Sequence, residues 1–388
     1  MSEEVIAPGK EVTLDTIKGN LAIGDGATLI AANETIVVTG NIVCKGSFSV
    51  EGNLEAVSVR CKNGSLEVEG RLEIRKTIRV DKRLITKGDL IAPEISVGGS
   101  INAESNVVAE ELKVGGSVVI NKKAEIDAIK VGGSLVIEGD SEIGTISVGG
   151  SVKLSSNTIL ESLRVGGTGV VQNGKIGTVK IGGSFKSQGE VEIDNIDVGG
   201  TIKLGGNSKV ESASVGGTLK ADGDLEFGQL NVGGTIKIDG EAKGESVKVG
   251  GTFVCDKNLT LSGDIKVGGS VKVQDTLIAE EVEVGGEVRI TMLKAKYFKI
   301  GRRGKVFGTV QADKVVISER ASAEDLYGGE IIIEERARAR NVYGESIFLE
   351  ENAKISGEVL YTNEIVVEKG ATLNSEPKQV KALPSPKY

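Results

Sequence analysis

Twelve copies of one motif, set at a near-constant interval, constrain this chain more than anything else in it. With small departures, each copy reads aliphatic, any residue, valine (once isoleucine), a glycine pair, serine or threonine (Glu287 in the last copy), and then aliphatic residues at alternate positions. The first glycine of each pair is Gly98, Gly115, Gly132, Gly149, Gly166, Gly182, Gly199, Gly216, Gly233, Gly250, Gly268 and Gly285. Successive intervals are 17, 17, 17, 17, 16, 17, 17, 17, 17, 18 and 17. A short fixed period means a stacked array in which each copy is one structural unit.

The unit is β. In Ile129-Lys130-Val131 and Leu135-Val136-Ile137 the apolar residues fall at every second position, the period of a strand with one face inward. Glycine pairs mark corners, where the chain needs positive φ or close backbone approach. One period holds about three short strands and their corners, so the pattern predicts an all-β fold, a three-sided parallel β-solenoid with about 17 residues per coil. Leu112, Val114, Val118 and Ile120 should share columns with Ile129, Val131, Leu135 and Ile137.

The flanks keep the rhythm in other words. Gly46-Ser-Phe-Ser-Val-Glu-Gly-Asn-Leu-Glu55 returns as Gly64-Ser-Leu-Glu-Val-Glu-Gly-Arg-Leu-Glu73, offset by 18. Downstream, strands beginning at Phe298, Val315, Ile331, Ile347 and Ile365 are spaced by 17, 16, 16 and 18. Small inward pairs follow three of them: Ala321/Ala323, Ala337/Ala339 and Ala353/Ile355. The expected organisation is an N-terminal solenoid segment with an irregular start (1–95), a glycine-pair solenoid (96–290) and a C-terminal solenoid segment (291–374). The tail 375–388, with three of the five prolines, is expected to be disordered. The irregular start, up to about position 35, fits the period poorly. About 20 coils at ~4.8 Å per rung make a rod on the order of 100 Å.

The C-terminal wording is the most telling. Gly304 to Ala323 reads GKVFGTVQADKVVISERASA, and Ile331-Ile-Ile-Glu-Glu-Arg-Ala-Arg-Ala339 and Ile365-Val-Val-Glu-Lys-Gly-Ala-Thr-Leu373 continue it. Gly304, Val306, Gly308, Val310, Ala312, Val315, Ile317 and Ala321 fit a G-x-I/V-x-G-x-I/V-x-A-x-x-I/V-x-I-x-x-x-A rhythm. Over 298–374 this resembles the bactofilin family of polymer-forming cytoskeletal proteins. The resemblance implies a right-handed β-helix that polymerises end to end without nucleotide and scaffolds cell-shape or envelope machinery, sometimes at the inner membrane face. The glycine-pair array shares the family's period but not its wording.

Composition removes other classes. With no histidine there is no His-based triad, ligand or general base. Three cysteines cannot make a four-Cys zinc site. The chain has no phosphate-loop motif, no long apolar run and no signal-peptide pattern in MSEEVIAPGKEVTL. A regular array also lacks the protruding loops on which solenoid lyases place catalytic groups, and hexapeptide acyltransferases need a six-residue step. The chain is therefore expected to be non-enzymatic, without metal or cofactor, and cytoplasmic, with membrane association left open.

Candidate surfaces remain. An end coil exposes strand edges and the end of the apolar column, which makes Ile365, Val366, Val367 and Leu373 candidate polymerisation residues. Lys153, Lys186, Lys203, Lys220, Lys237, Lys272 and Arg289 form an outward basic stripe, and Lys113, Lys130, Arg164, Lys180, Lys248 and Lys266 form a second. They read either as a solvated face or as a surface for lateral rod pairing, partner proteins or anionic membranes. Without interleaved aromatics, nucleic acid is a poor fit. The alternative to a filament is a monomeric rod-like scaffold using that stripe. Arg336, Arg338 and Arg340 alternate with alanine and are expected to share one outward face, as a charged edge or a partner contact. The hydroxyl after eleven of the twelve glycine pairs, Glu287 being the exception, reads as corner chemistry. Tyr327, Tyr343 and Tyr361 read as a ladder, and Cys44 and Cys61, one coil apart, as small packing residues within disulfide range.

Overall fold

In the computed structural model, which describes residues 3–386, every regular element is a β-strand. The chain divides into two compact units, 1–193 and 194–388. Each is a parallel β-solenoid, and the turns number about 22 at a spacing of ~17 residues. No helix among the described residues is long and apolar enough to cross a membrane.

Alternation of apolar residues becomes columns in both units. In the first, Leu112 lies on Ile129 and Val114 on Val131, while Val118 lies on Leu135 and Ile120 on Ile137. All eight are 4% exposed or less. Each such coil contributes three paired segments, as with 118–120, 124–126 and 128–131. Because pairing is parallel and in register, a residue's face is set by its position in the period.

The glycine pairs are needed for close approach, not for positive φ. None of the paired glycines lies in the left-handed region. A Cβ on Gly132 would stand 2.2 Å from the Gly115 carbonyl oxygen one coil earlier, and one on Gly216 would stand 2.3 Å from that of Gly199. Any side chain there would push two coils apart.

The irregular start keeps the period after all. Glu3 pairs with Asn20 and Glu11 with Thr28, in each case one ordinary period on. The next coil is longer by four, pairing Leu21 with Ile42 and Ala27 with Phe48. Its register shifts between Ile30 and Thr35, where 31–34 bulge out and Glu34 takes φ 64°. One insertion hid the rhythm.

In the second unit, Phe298, Val315, Ile331, Ile347 and Ile365 stack in one column. The glycine corner is replaced there by a four-residue turn. Its third residue is Arg303, Arg320, Arg336 or Asn352 at φ 57–60°, then Gly370 at 78°. The residue after it donates its N–H back to close the turn, as in Gly304 to Gly301, Ala321 to Ser318 and Ala337 to Glu334. The small residues Ala321, Ala337 and Ala353 follow at 0% exposure.

The tail departs from expectation. Of 375–388, positions 387–388 lie outside the described residues, and the rest carries paired backbone. Lys378–Gln379 pairs with Leu360 and Tyr361 one coil earlier, Val380 donates its N–H to the Tyr361 carbonyl and Asn374 to that of Ile355. The prolines end the strand pattern only after one more partial rung.

Candidate functional site: surface columns and the terminal coil

The first basic stripe is outward-facing, as alternation requires, but it is neither continuous nor free. In the first unit Lys153 sits between Val136 and Val170, with Lys186 beyond. In the second, Lys203, Lys220 and Lys237 stack directly, then Val254 interrupts before Lys272 and Arg289. Acids at the following corner meet the lysines. Lys153 reaches Glu138 at 3.2 Å, Lys203 reaches Asp222 at 2.8 Å, Lys220 reaches Asp222 at 2.7 Å and Asp239 at 3.2 Å, and Lys237 reaches Asp239 at 2.6 Å and Asp256 at 3.8 Å. Arg289 pairs with Glu287 and lies 4.4 Å over the Phe307 ring. The lysine hydrogen bonds hold Asp222 and Asp239 below the usual carboxylate range. Lys186 and Lys272 are exposed. The sequence showed the bases in column but not that each acid, two positions along, staggers between successive lysines.

The second stripe is broken in the same way. Lys113 and Lys130 share Glu111, Ser147 separates Lys130 from Arg164, and Lys266 contacts Glu281 and Glu283. An open groove of about 590 Å³ runs beside it over the glycine corners Gly250 and Gly268, lined by Lys248, Lys266, Lys299 and Glu283. Its lining carries three lysines against one glutamate, and of these Lys266 is already engaged by Glu281 and Glu283.

Arg336, Arg338 and Arg340 are all exposed and alternate with buried Ala337 and Ala339, as expected, but two of the three are engaged by carboxylates. Arg336 is the left-handed turn residue and pairs with Glu335. Arg338 and Arg340 lie on the strand Arg338–Leu349. Arg340 is engaged by both oxygens of Asp325, its Nε at 3.1 Å from Oδ1. Burial alone would raise the Asp325 pKa, but Arg340 and a hydrogen bond from Asn341 hold it low. Only Arg338 remains exposed without an ion pair among the described residues of this run.

Tyr327 and Tyr343 stack with ring centroids 4.7 Å apart. The ladder stops there, because Tyr343 pairs with Leu360 and Tyr361 falls beside Gly344. Burial and a hydrogen bond donated to Glu358 raise the Tyr343 pKa. Cys44 and Cys61 sit in register one coil apart, buried and free, as is Cys255. Burial raises all three thiols, Cys255 to about 11, so they are poor nucleophiles.

One device went unread in the sequence. Asx side chains cap the backbone of the next coil: Asn20 accepts the Asn41 N–H, Asp25 that of Ser47, Asn53 that of Arg71, Asp140 that of Asn157 and Asp224 that of Glu241. The signal was an Asn or Asp at a corner once per period, scattered enough among other acids to pass as charge.

The last coil is where the repeat is left incomplete. Ile347 and Leu349 are 0% and 1% exposed. Their neighbours one coil on, Ile365 and Val367, are half-buried and 44% exposed, and outward Val366 is also 44% exposed. Leu373 is half-buried beyond Ile355, which is 1% exposed. Among the described residues no strand pairs with the outer edge of 364–367 or of Thr372–Leu373. At the other end, Ile6, Leu14 and Ile17 are only 6–8% exposed.

No family model, no curated protein and no solved structure matches this chain.

Proposed function

We propose that this protein is a structural, non-enzymatic subunit that assembles end to end, without nucleotide, into filaments serving as a cytoplasmic scaffold of bactofilin type. In this reading the solenoid is right-handed and three-sided. The observation that carries it is the terminal coil. Ile365 and Val367 continue a column that is 0–1% exposed one coil earlier, and their strand edge lacks an outer partner among the described residues. A second copy fits because its end coils offer strand edges with the same spacing. Docking removes both the open apolar surface and the unpaired N–H and C=O groups. Ion pairs at Lys203, Lys220 and Lys237 weaken the case for the monomeric scaffold, although Lys186 and Lys272 stay exposed.

The test is negative-stain electron microscopy and sedimentation of the full chain, without nucleotide, beside I365K/V367K. The expected result is long uniform filaments for the native chain and dispersed particles for the variant. A native chain that stays monodisperse at high concentration overturns the proposal.

A further inference from the structure

The segment 375–386 does something the open coil beside it does not. It occupies one of the three paired segments of the terminal coil, covering Leu360 and Tyr361 with Lys378–Gln379. Val380 N–H reaches the Tyr361 carbonyl at 2.8 Å, and Gln379 Nε2 reaches that of Thr362 at 2.9 Å. Beyond the strand, Val380, Leu383 and Pro386 are half-buried while Lys381, Ala382, Pro384 and Ser385 are exposed. The segment thus lies against the protein along one side.

Its outer edge is built not to be extended. The strand is two residues long and begins with Lys378, Pro377 precedes it, and Lys381, Pro384 and Pro386 follow. A very short edge strand, prolines without N–H donors and edge lysines are the devices by which sheets refuse another strand. The uncovered edge at 364–367 belongs to a nine-residue strand without proline, and Lys369 beyond it is the only such guard it shares. The hold is also slight: both strand residues are exposed.

We infer that residues 375–386 form a displaceable strap that gates end-on addition of a second copy. Interior coils such as 118–131 pair through three segments. An incoming coil can pair through all three here only after the strap leaves Leu360 and Tyr361. The inference rests on the filament reading, and the experiment separates the two.

The experiment compares the concentration at which half the protein sediments for the full chain, for a chain ending at Asn374, and for L360C/K378C. The last pair is in register across the strap contact, and the native thiols are buried. A few backbone hydrogen bonds imply a change on the order of tenfold. Truncation should lower the threshold by about that factor. The oxidised pair should raise it relative to its reduced form, which should match the full chain. Equal thresholds for full and truncated chains overturn the strap and leave the filament standing. Weaker assembly on truncation, or undiminished assembly of the cross-linked pair, also overturns the strap, since the segment would then belong to the joint. If neither full nor truncated chain assembles, both readings fall.

Discussion

The glycine-pair coils and the coils from Phe298 onward meet one requirement, turning the chain within a single period, by different means. In the former the corner is held against its neighbour: Gly216 has no space for a Cβ because the Gly199 carbonyl lies there. The constraint lives between coils, and φ is ordinary. In the latter it lives within the turn. Arg320 and Arg336 hold φ of 59° and 57°, and the turn is closed by its own hydrogen bond and by carboxylates, Glu334 accepting the Glu319 N–H and Glu350 that of Glu335. Identical periodicity therefore conceals two kinds of sensitivity to mutation.

Gly216→Ala should produce the largest effect. A methyl group aimed at a carbonyl oxygen that cannot move without shifting a coil should cost about 3 kcal/mol or more, read by chemical denaturation. No loss, or a gain of up to ~1 kcal/mol as Gly-to-Ala changes give where they meet no clash, would break the close-approach account. Asp325→Asn comes next. It removes a bidentate but partly exposed pair with Arg340, for an expected loss of roughly 1 kcal/mol. The same substitution carries a pH signature. Asp222, Asp239 and Asp325 all have lowered pKa values. Their contribution is present above the unfolded value of ~3.9 and is lost as pH falls through the lower folded values. The native melting temperature should drop between about pH 5 and pH 3, and Asp325→Asn should drop less.

Arg336→Gly sharpens the comparison from the other side. Relieving a left-handed arginine should stabilise by up to ~1 kcal/mol, because Gly adopts that φ without penalty. A destabilised variant would mean that the Glu335 contact outweighs the strain. Smallest should be Lys237→Ala, an exposed pair worth under ~1 kcal/mol, detectable only at low salt.

Much of this was legible in the residues. Alternation about Leu112 and Ile129 fixed both class and register, because an alternating pattern that returns at a near-constant interval permits one stacking. What escaped has physical reasons. Four extra residues between Ala31 and Val37 shifted the N-terminal rhythm by an amount no local pattern reveals. Tyr361 missed its ladder through a one-residue slip that backbone pairing alone decides. The lysine columns were visible, but charge in a column says nothing about what crosses to it from the next corner. Proline in the tail signalled the end of pairing yet not its position, since Lys378–Gln379 fits between Pro377 and Pro384.

The register has one more consequence. Strand pairings join positions separated by 16 to 21, in a chain of 388. Its relative contact order is thus about 0.04, below even helical bundles, although all-β proteins usually have ~0.16–0.22. No strand must wait for a distant partner. A coil has its template once the previous one is laid, so folding can follow synthesis from the N-terminus, one period behind the emerging chain.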